Sequence, residues 1–215
     1  MRVPMFIGLT LFVLGGLFAQ EGGAKIQSGV KVGDVLPGPF DAFNVNGKTA
    51  KGRQHCLVCD FGLSPVVMVF AREPAEGKDG PLMSLLSKLD EAVGRYVDDR
   101  GLESCAVFLS PDAYSSANNA GEQNTKKIID EAVARDALAK RLEERAEKLK
   151  NVVVAYYPAD GPKGYNINPK AEVTVLFYVK HKVLANFAFA EGKMTPDDVA
   201  KIIKTVDDAL AKRKK

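Results

Sequence analysis

The chain has 215 residues, 46% of them hydrophobic and 27% charged, with 19 Gly, 11 Pro, 3 Cys and no Trp. This composition excludes collagen-like, low-complexity and disulfide-dense scaffolds, and it is too apolar for a disordered chain. Thirty basic against 27 acidic side chains leave a net charge of +3, too weak a bias to call for a nucleic-acid partner.

Arg2 precedes a mostly apolar run from Met5 to Ala19, after which the chain turns polar at Gln20-Glu21-Gly22-Gly23. A positive charge, a short apolar core and a small residue before a polar stretch describe a secretory signal peptide over residues 1–19, cleaved after Ala19. The run falls short of the ~20 residues that a membrane-spanning helix needs, and no basic stop-transfer cluster follows. Leu17 stands where a small residue is usual, so an uncleaved anchor is the alternative. The expectation is an exported chain without stable membrane insertion after cleavage, with a flexible lead-in over residues 20–30 and one domain over 31–215.

Along that domain, Asn46-Gly47 between Phe43-Asn44-Val45 and Lys48-Thr49 predicts a tight hairpin. Residues 51–64 read as an irregular stretch. Pro65 to Ala71 is a continuous apolar run, the mark of a strand buried on both faces. Asp79-Gly80-Pro81 opens a helix with Leu82, Leu85, Leu86, Leu89, Val93 and Val97 on one face, ended by Gly101. Cys105 to Leu109 is the next strand. A polar loop, Ser110 to Asn124, leads into a charged helix from Thr125 to Lys150. Its apolar stripe is Ile128, Ile129, Ala132, Val133, Leu138, Leu142 and Leu149, with a slip in spacing after Val133 that predicts a kink or two helices. Val152 to Tyr156 is a third strand. Val173 to Val179 and Val183 to Phe189 form a hairpin around Lys180-His181-Lys182, and Thr195-Pro196-Asp197-Asp198 starts the last helix.

Hairpin, strand, helix, strand, helix, strand, hairpin and helix, in that order, make an α/β chain with a partly parallel sheet. With Val32-Gly33-Asp34, Pro37, Phe40, Asn46-Gly47-Lys48-Thr49, the Val66 to Ala71 strand, Tyr156-Tyr157-Pro158-Ala159-Asp160-Gly161 and Tyr165-Asn166-Ile167, it resembles the redoxin and peroxiredoxin-like branch of the thioredoxin superfamily. The resemblance implies a three-layer sandwich: a mixed sheet with helices on both faces and an N-terminal hairpin extension. It also implies a reactive cysteine just after the first central strand, at a helix start that stabilises a thiolate. Here that stretch is Arg72-Glu73-Pro74-Ala75-Glu76-Gly77-Lys78, which holds no thiol. The family's cis-proline position matches Val173, and Pro169 lies four residues earlier.

The chemistry therefore rests on Cys56-Leu57-Val58-Cys59. In an oxidising compartment the pair can be a structural disulfide, or one of its members can bond to Cys105. It can also be a working dithiol, with Cys56 and Cys59 as nucleophile and resolving thiol. As a metal site, His55, Cys56 and Cys59 are three zinc or copper ligands within five residues, which Cys105 or His181 could complete. Covalent haem needs His directly after the second Cys, where Asp60 stands, and no cofactor is expected. His55 reads as an exposed loop residue or as a base for Cys56, and His181 as a solvated residue at a hairpin tip. The leading expectation is a degenerate, non-peroxidase binding or scaffold module with a structural Cys pair and an unidentified protein partner. The enzyme alternative is a thiol–disulfide oxidoreductase.

Overall fold

The computed structural model describes residues 26–73, 80–113 and 125–212. The signal segment, most of the lead-in and the greater part of the polar loop lie outside the described residues. The elements are β1 (Ala42–Asn44), β2 (Arg53–His55), α1 (Leu57–Phe61), β3 (Pro65–Arg72), α2 (Gly80–Arg100), β4 (Glu103–Ser110), α3 (Thr125–Ala146), β5 (Val152–Pro158), β6 (Ala171–Val179), β7 (Lys182–Ala190) and α4 (Pro196–Ala211).

The strands form one sheet in the order β2-β1-β5-β4-β3-β6-β7. β3, β4 and β5 are parallel, and the strands added at either side are antiparallel. Because β3, β4 and β5 lie side by side in chain order, right-handed crossovers send α2 and α3 to the same face. The side chains follow: Val67, Val69 and Ala71 of β3 share a core with Leu85 and Leu89 of α2, Leu138 and Leu142 of α3, and Ile202 and Val206 of α4. Val66, Met68 and Phe70 point the other way. There the covering layer is α1 with the irregular segments that carry Val30, Leu36, Phe40, Tyr165 and Ile167. β3 is buried on both sides, as its unbroken apolar run requires.

Local chemistry sets the ends. α4 opens on a capping box, with the Thr195 hydroxyl accepting from the Asp198 N–H and the Asp198 carboxylate accepting from the Thr195 N–H. Gly101, at φ 65°, closes α2 by donating to the Val97 carbonyl. The β6–β7 turn holds Lys180 and His181 at φ 51° and 63°, the twist that a two-residue hairpin favours.

The structure corrects four expectations. Asn46-Gly47 is not a tight turn: Asn46 donates to the Val152 carbonyl and accepts from the Val154 N–H, tying the segment to β5 and postponing the return strand to Arg53. α3 is one helix. The slip after Val133 instead marks where it leaves the core, since Leu138 and Leu142 are buried while Ile128, Ile129 and Val133 are 46%, 56% and 63% exposed. The lead-in is anchored before its end: the Ser28 hydroxyl lies 2.6 Å from that of Thr174, and Gly29 donates to the Asn166 carbonyl. Finally, residues 57–61 of the irregular stretch are helical, and this change bears on the site.

Candidate functional site

α1 is a single helical turn whose N-cap is a cysteine. Cys56 is extended, at φ −86° and ψ 100°, and its sulfur accepts the Cys59 N–H at 3.1 Å, the place a Ser or Asp oxygen usually takes. Leu57, Val58 and Phe61 bury the turn against the sheet. Cys56 and Cys59 form a disulfide with a Cα–Cα distance of 5.3 Å. Its two halves differ: Cys56 is buried, and Cys59 is exposed.

His55 closes β2 directly before the cap, and its Nε2 lies 2.7 Å from Asp60 Oδ1. It is therefore a strand residue hydrogen-bonded to Asp60 beside the disulfide, not a lone loop histidine. While the sulfurs are bonded to each other neither is a thiolate, so His55, Cys56 and Cys59 do not make up a metal ligand set in this state. No group of three or more His, Cys, Asp or Glu suited to a metal occurs among the described residues. Cys105 is not paired with either cysteine. It is a free thiol in β4, fully buried on the face that also holds Cys56, and burial pushes its pKa far up. His181 is half-buried rather than solvated, its ring 6.5 Å from that of Tyr178 and its Nε2 buried without a hydrogen bond from a described residue.

At the carboxyl end of β3, where the resemblance places a reactive thiol, the described side chains are charged. Glu73, just after β3, receives Arg141 Nε at 2.7 Å and Nη2 at 2.9 Å, and Arg145 Nη1 at 3.0 Å. Arg141 also reaches Asp112 at 3.5 Å. Arg72 donates to the carbonyls of Ala171 and Ala159, binding the end of β3 to the start of β6 and the loop after β5. Val173 is the β6 residue opposite Ala71, Pro169 lies before that strand, and the described peptide bonds are all trans. Sequence reading missed the Glu73 cluster because its partners are 68 and 72 positions away. The available signal was the i,i+4 pair of arginines on α3.

The Arg141 hydrogen bonds hold the Glu73 carboxyl below its ordinary value of 4.5; burial opposes them, and the Arg145 hydrogen bond adds to the lowering. A depressed folded pKa contributes stability that is present above the unfolded value and lost as pH falls through the folded one. Glu73→Gln is therefore expected to destabilise the protein by about 1–2 kcal/mol at pH 7, allowing for partial exposure. Urea unfolding at a series of pH values checks this: the gap between variant and wild type should close as the pH drops below 4.5.

A third feature is a cleft of about 670 Å³ between the β1–β2 hairpin and α3. Phe43 and Tyr156, stacked 4.8 Å apart and 18° from parallel, line it together with Asp41, Gln54 and Arg135. It opens near the carboxyl ends of β4 and β5, the end of a parallel sheet where ligands ordinarily bind.

No family model matches the sequence, and no curated protein matches it either. Solved structures do. A chain described as the thiol:disulfide interchange protein DsbE of Chlorobium tepidum is 18% identical with a TM-score of 0.51, over 84% of this chain and 99% of that one. BsSco, a member of the Sco family of cytochrome c oxidase assembly proteins, is 13% identical with a TM-score of 0.50, over 87% and 100%. An uncharacterized conserved protein from Geobacillus kaustophilus is 14% identical with a TM-score of 0.51, over 85% and 84%. Identities this low speak to architecture alone. The chain has the α/β thioredoxin-like fold, in which a mixed seven-stranded sheet carries a close CxxC disulfide ahead of its first central strand.

Proposed function

We propose that this is an exported thiol–disulfide exchange protein whose dithiol, Cys56 and Cys59, stands ahead of β3 in the chain, with the family's usual catalytic position left without a thiol. The observation that carries the reading is the unequal disulfide at the α1 cap: Cys59 exposed, Cys56 buried and accepting a backbone N–H, His55 and Asp60 alongside. The exposed sulfur is open to attack by a substrate thiolate. As the Cys56–Cys59 bond breaks, the Cys56 sulfur leaves as a thiolate that already has an N–H donor. A second substrate thiolate then attacks the substrate sulfur of the mixed disulfide and releases Cys59. Two electrons pass to the protein dithiol, and the substrate dithiol becomes a disulfide. Export rests on the Met5 to Ala19 segment.

Loop length also favours exchange over stapling. Closing so short a loop removes only about 2 kcal/mol of denatured-state entropy, against about 3 kcal/mol for a fifteen-residue loop. The second reading is a non-catalytic module with a fixed staple, favoured by the thiol-free stretch from Arg72 to Lys78 and the burial of Cys56.

Thiol counting separates the two. The folded, oxidised protein is expected to alkylate at no cysteine, at Cys105 alone once unfolded, and at all three after reduction. A glutathione buffer should open the Cys56–Cys59 pair within minutes in the folded state, and the reduced protein should then reduce a disulfide peptide. A pair that stays closed in that buffer, with no turnover, overturns exchange and leaves the module.

A further inference from the structure

We infer that the free edge of β2 receives the substrate: an extended polypeptide segment adds to the sheet there, places an aromatic side chain in the cleft over Phe43 and Tyr156, and presents a cysteine one or three residues away to Cys59. The inference rests on the exchange reading above and names its substrate class.

The two ends of the sheet are not alike. Along β7 the outer edge is partly closed by residues 33–36, with Gly33 donating to the Val183 carbonyl, Val183 to that of Asp34, and Leu36 to that of His181. β2 ends the sheet on the other side, pairs only with β1 among the described residues, and exposes Arg53 and Gln54. Such an edge is a template for an incoming strand.

Register then fixes what the incoming strand meets. Opposite residues in an antiparallel pair share a face. Gln54 lies opposite Phe43 and so faces the cleft. His55 lies opposite Ala42, which is buried on the face that holds Cys56. Consecutive residues of β2 therefore turn one toward the aromatic cleft and the next toward the disulfide. A segment laid along β2 obeys the same alternation at ~3.3 Å per residue. A side chain filling the cleft and a cysteine on the disulfide face must then be an odd number of residues apart.

The cleft's chemistry names the side chain. The stacked Phe43–Tyr156 pair lines it, and the opposite charges of Asp41 and Arg135 in the same lining select neither an acidic nor a basic group. Gln54 adds a polar group. A ring with a polar edge, tyrosine above all, fits that arrangement.

The test uses the reduced Cys56→Ser protein and octapeptides whose cysteine carries a pyridyl disulfide, with tyrosine placed one, two or three residues from it or replaced by alanine. Release of the pyridinethione reports attack by Cys59. Spacings of one and three are expected to react about tenfold faster than a spacing of two or the alanine peptide, the worth of one aromatic contact. Adding Gln54→Trp, whose ring would fill the cleft, should erase that preference, each rate being taken relative to that of the same protein with a small non-peptide disulfide. Equal rates at every spacing, or a preference that survives Gln54→Trp, overturns the inference while exchange stands. Should the small disulfide also fail to react, exchange itself falls. Fluorescence anisotropy of cysteine-free tyrosine peptides on the wild-type protein, with and without Gln54→Trp, then reads the docking alone: binding lost in the variant supports it, and no binding overturns it.

Discussion

Cys59→Ser is expected to lower turnover of a dithiol peptide by on the order of 10²-fold or more, whereas Cys105→Ser should leave it within about twofold. The two thiols differ in every property that governs exchange. Cys59 is exposed and bonded to a sulfur that leaves into a waiting backbone N–H. Cys105 has no exposed surface, and burial pushes its pKa far above that of an ordinary thiol. Serine at 59 offers no sulfur to attack. At 105 it costs about 1–3 kcal/mol of stability, through a buried hydroxyl, without touching the chemistry. Cys56→Ser behaves differently again: the Cys59 thiolate still attacks a disulfide peptide and one peptide sulfur leaves as a thiolate, but no Cys56 thiol remains to attack Cys59 and displace the rest, so a mixed disulfide accumulates on Cys59 and mass spectrometry detects it there. A mixed disulfide that forms instead on Cys56 of the Cys59→Ser protein would reverse the assigned roles.

What was legible in the sequence followed from strong, local physics. The Pro65 to Ala71 run is apolar because β3 is covered on both faces, and the Thr195-Pro196-Asp197-Asp198 start is readable because a capping box is built from neighbouring residues. The CxxC pair was visible for the same reason, its two sulfurs being three residues apart. Its setting was not. α1 is a single turn capped by a sulfur, and neither five residues nor a cysteine cap gives a periodic signal. His55 read as exposed because its partner Asp60 becomes a neighbour only once that turn forms. The Glu73–Arg141–Arg145 cluster and the cleft over Phe43 and Tyr156 join residues about 70 or more positions apart, which no window along the chain can see. The stripe on α3 shows the converse limit. Periodicity reported an apolar face along the whole helix, while packing uses only the part from Leu138 onward.

The largest stability effect is expected at Tyr165, where Tyr165→Ala should cost about 3–5 kcal/mol. Among the described residues, three long helices crowd one face of the sheet, and α1 with irregular chain covers the other. Irregular chain brings few internal hydrogen bonds to its own ordering, so side-chain packing must hold it in place. The packing here is aromatic. Tyr165 is 1% exposed and meets Phe40 and Phe70 edge to face at 5.2 and 5.6 Å, while Phe40 meets Tyr157 in the same way at 5.4 Å. The Tyr165 hydroxyl donates to the Gly38 carbonyl at 2.7 Å, fastening the segment around Phe40 to the loop after β5. Tyr165→Phe keeps the rings and loses only that bond, for about 1 kcal/mol. Urea unfolding of the two variants separates packing from hydrogen bonding, and a Tyr165→Ala cost no greater than that of Tyr165→Phe would show that the layer is held by something else. The same layer covers Cys105. Loosening it should therefore speed alkylation of Cys105 in the folded protein well before global unfolding, and Tyr165→Phe should leave that rate near wild type.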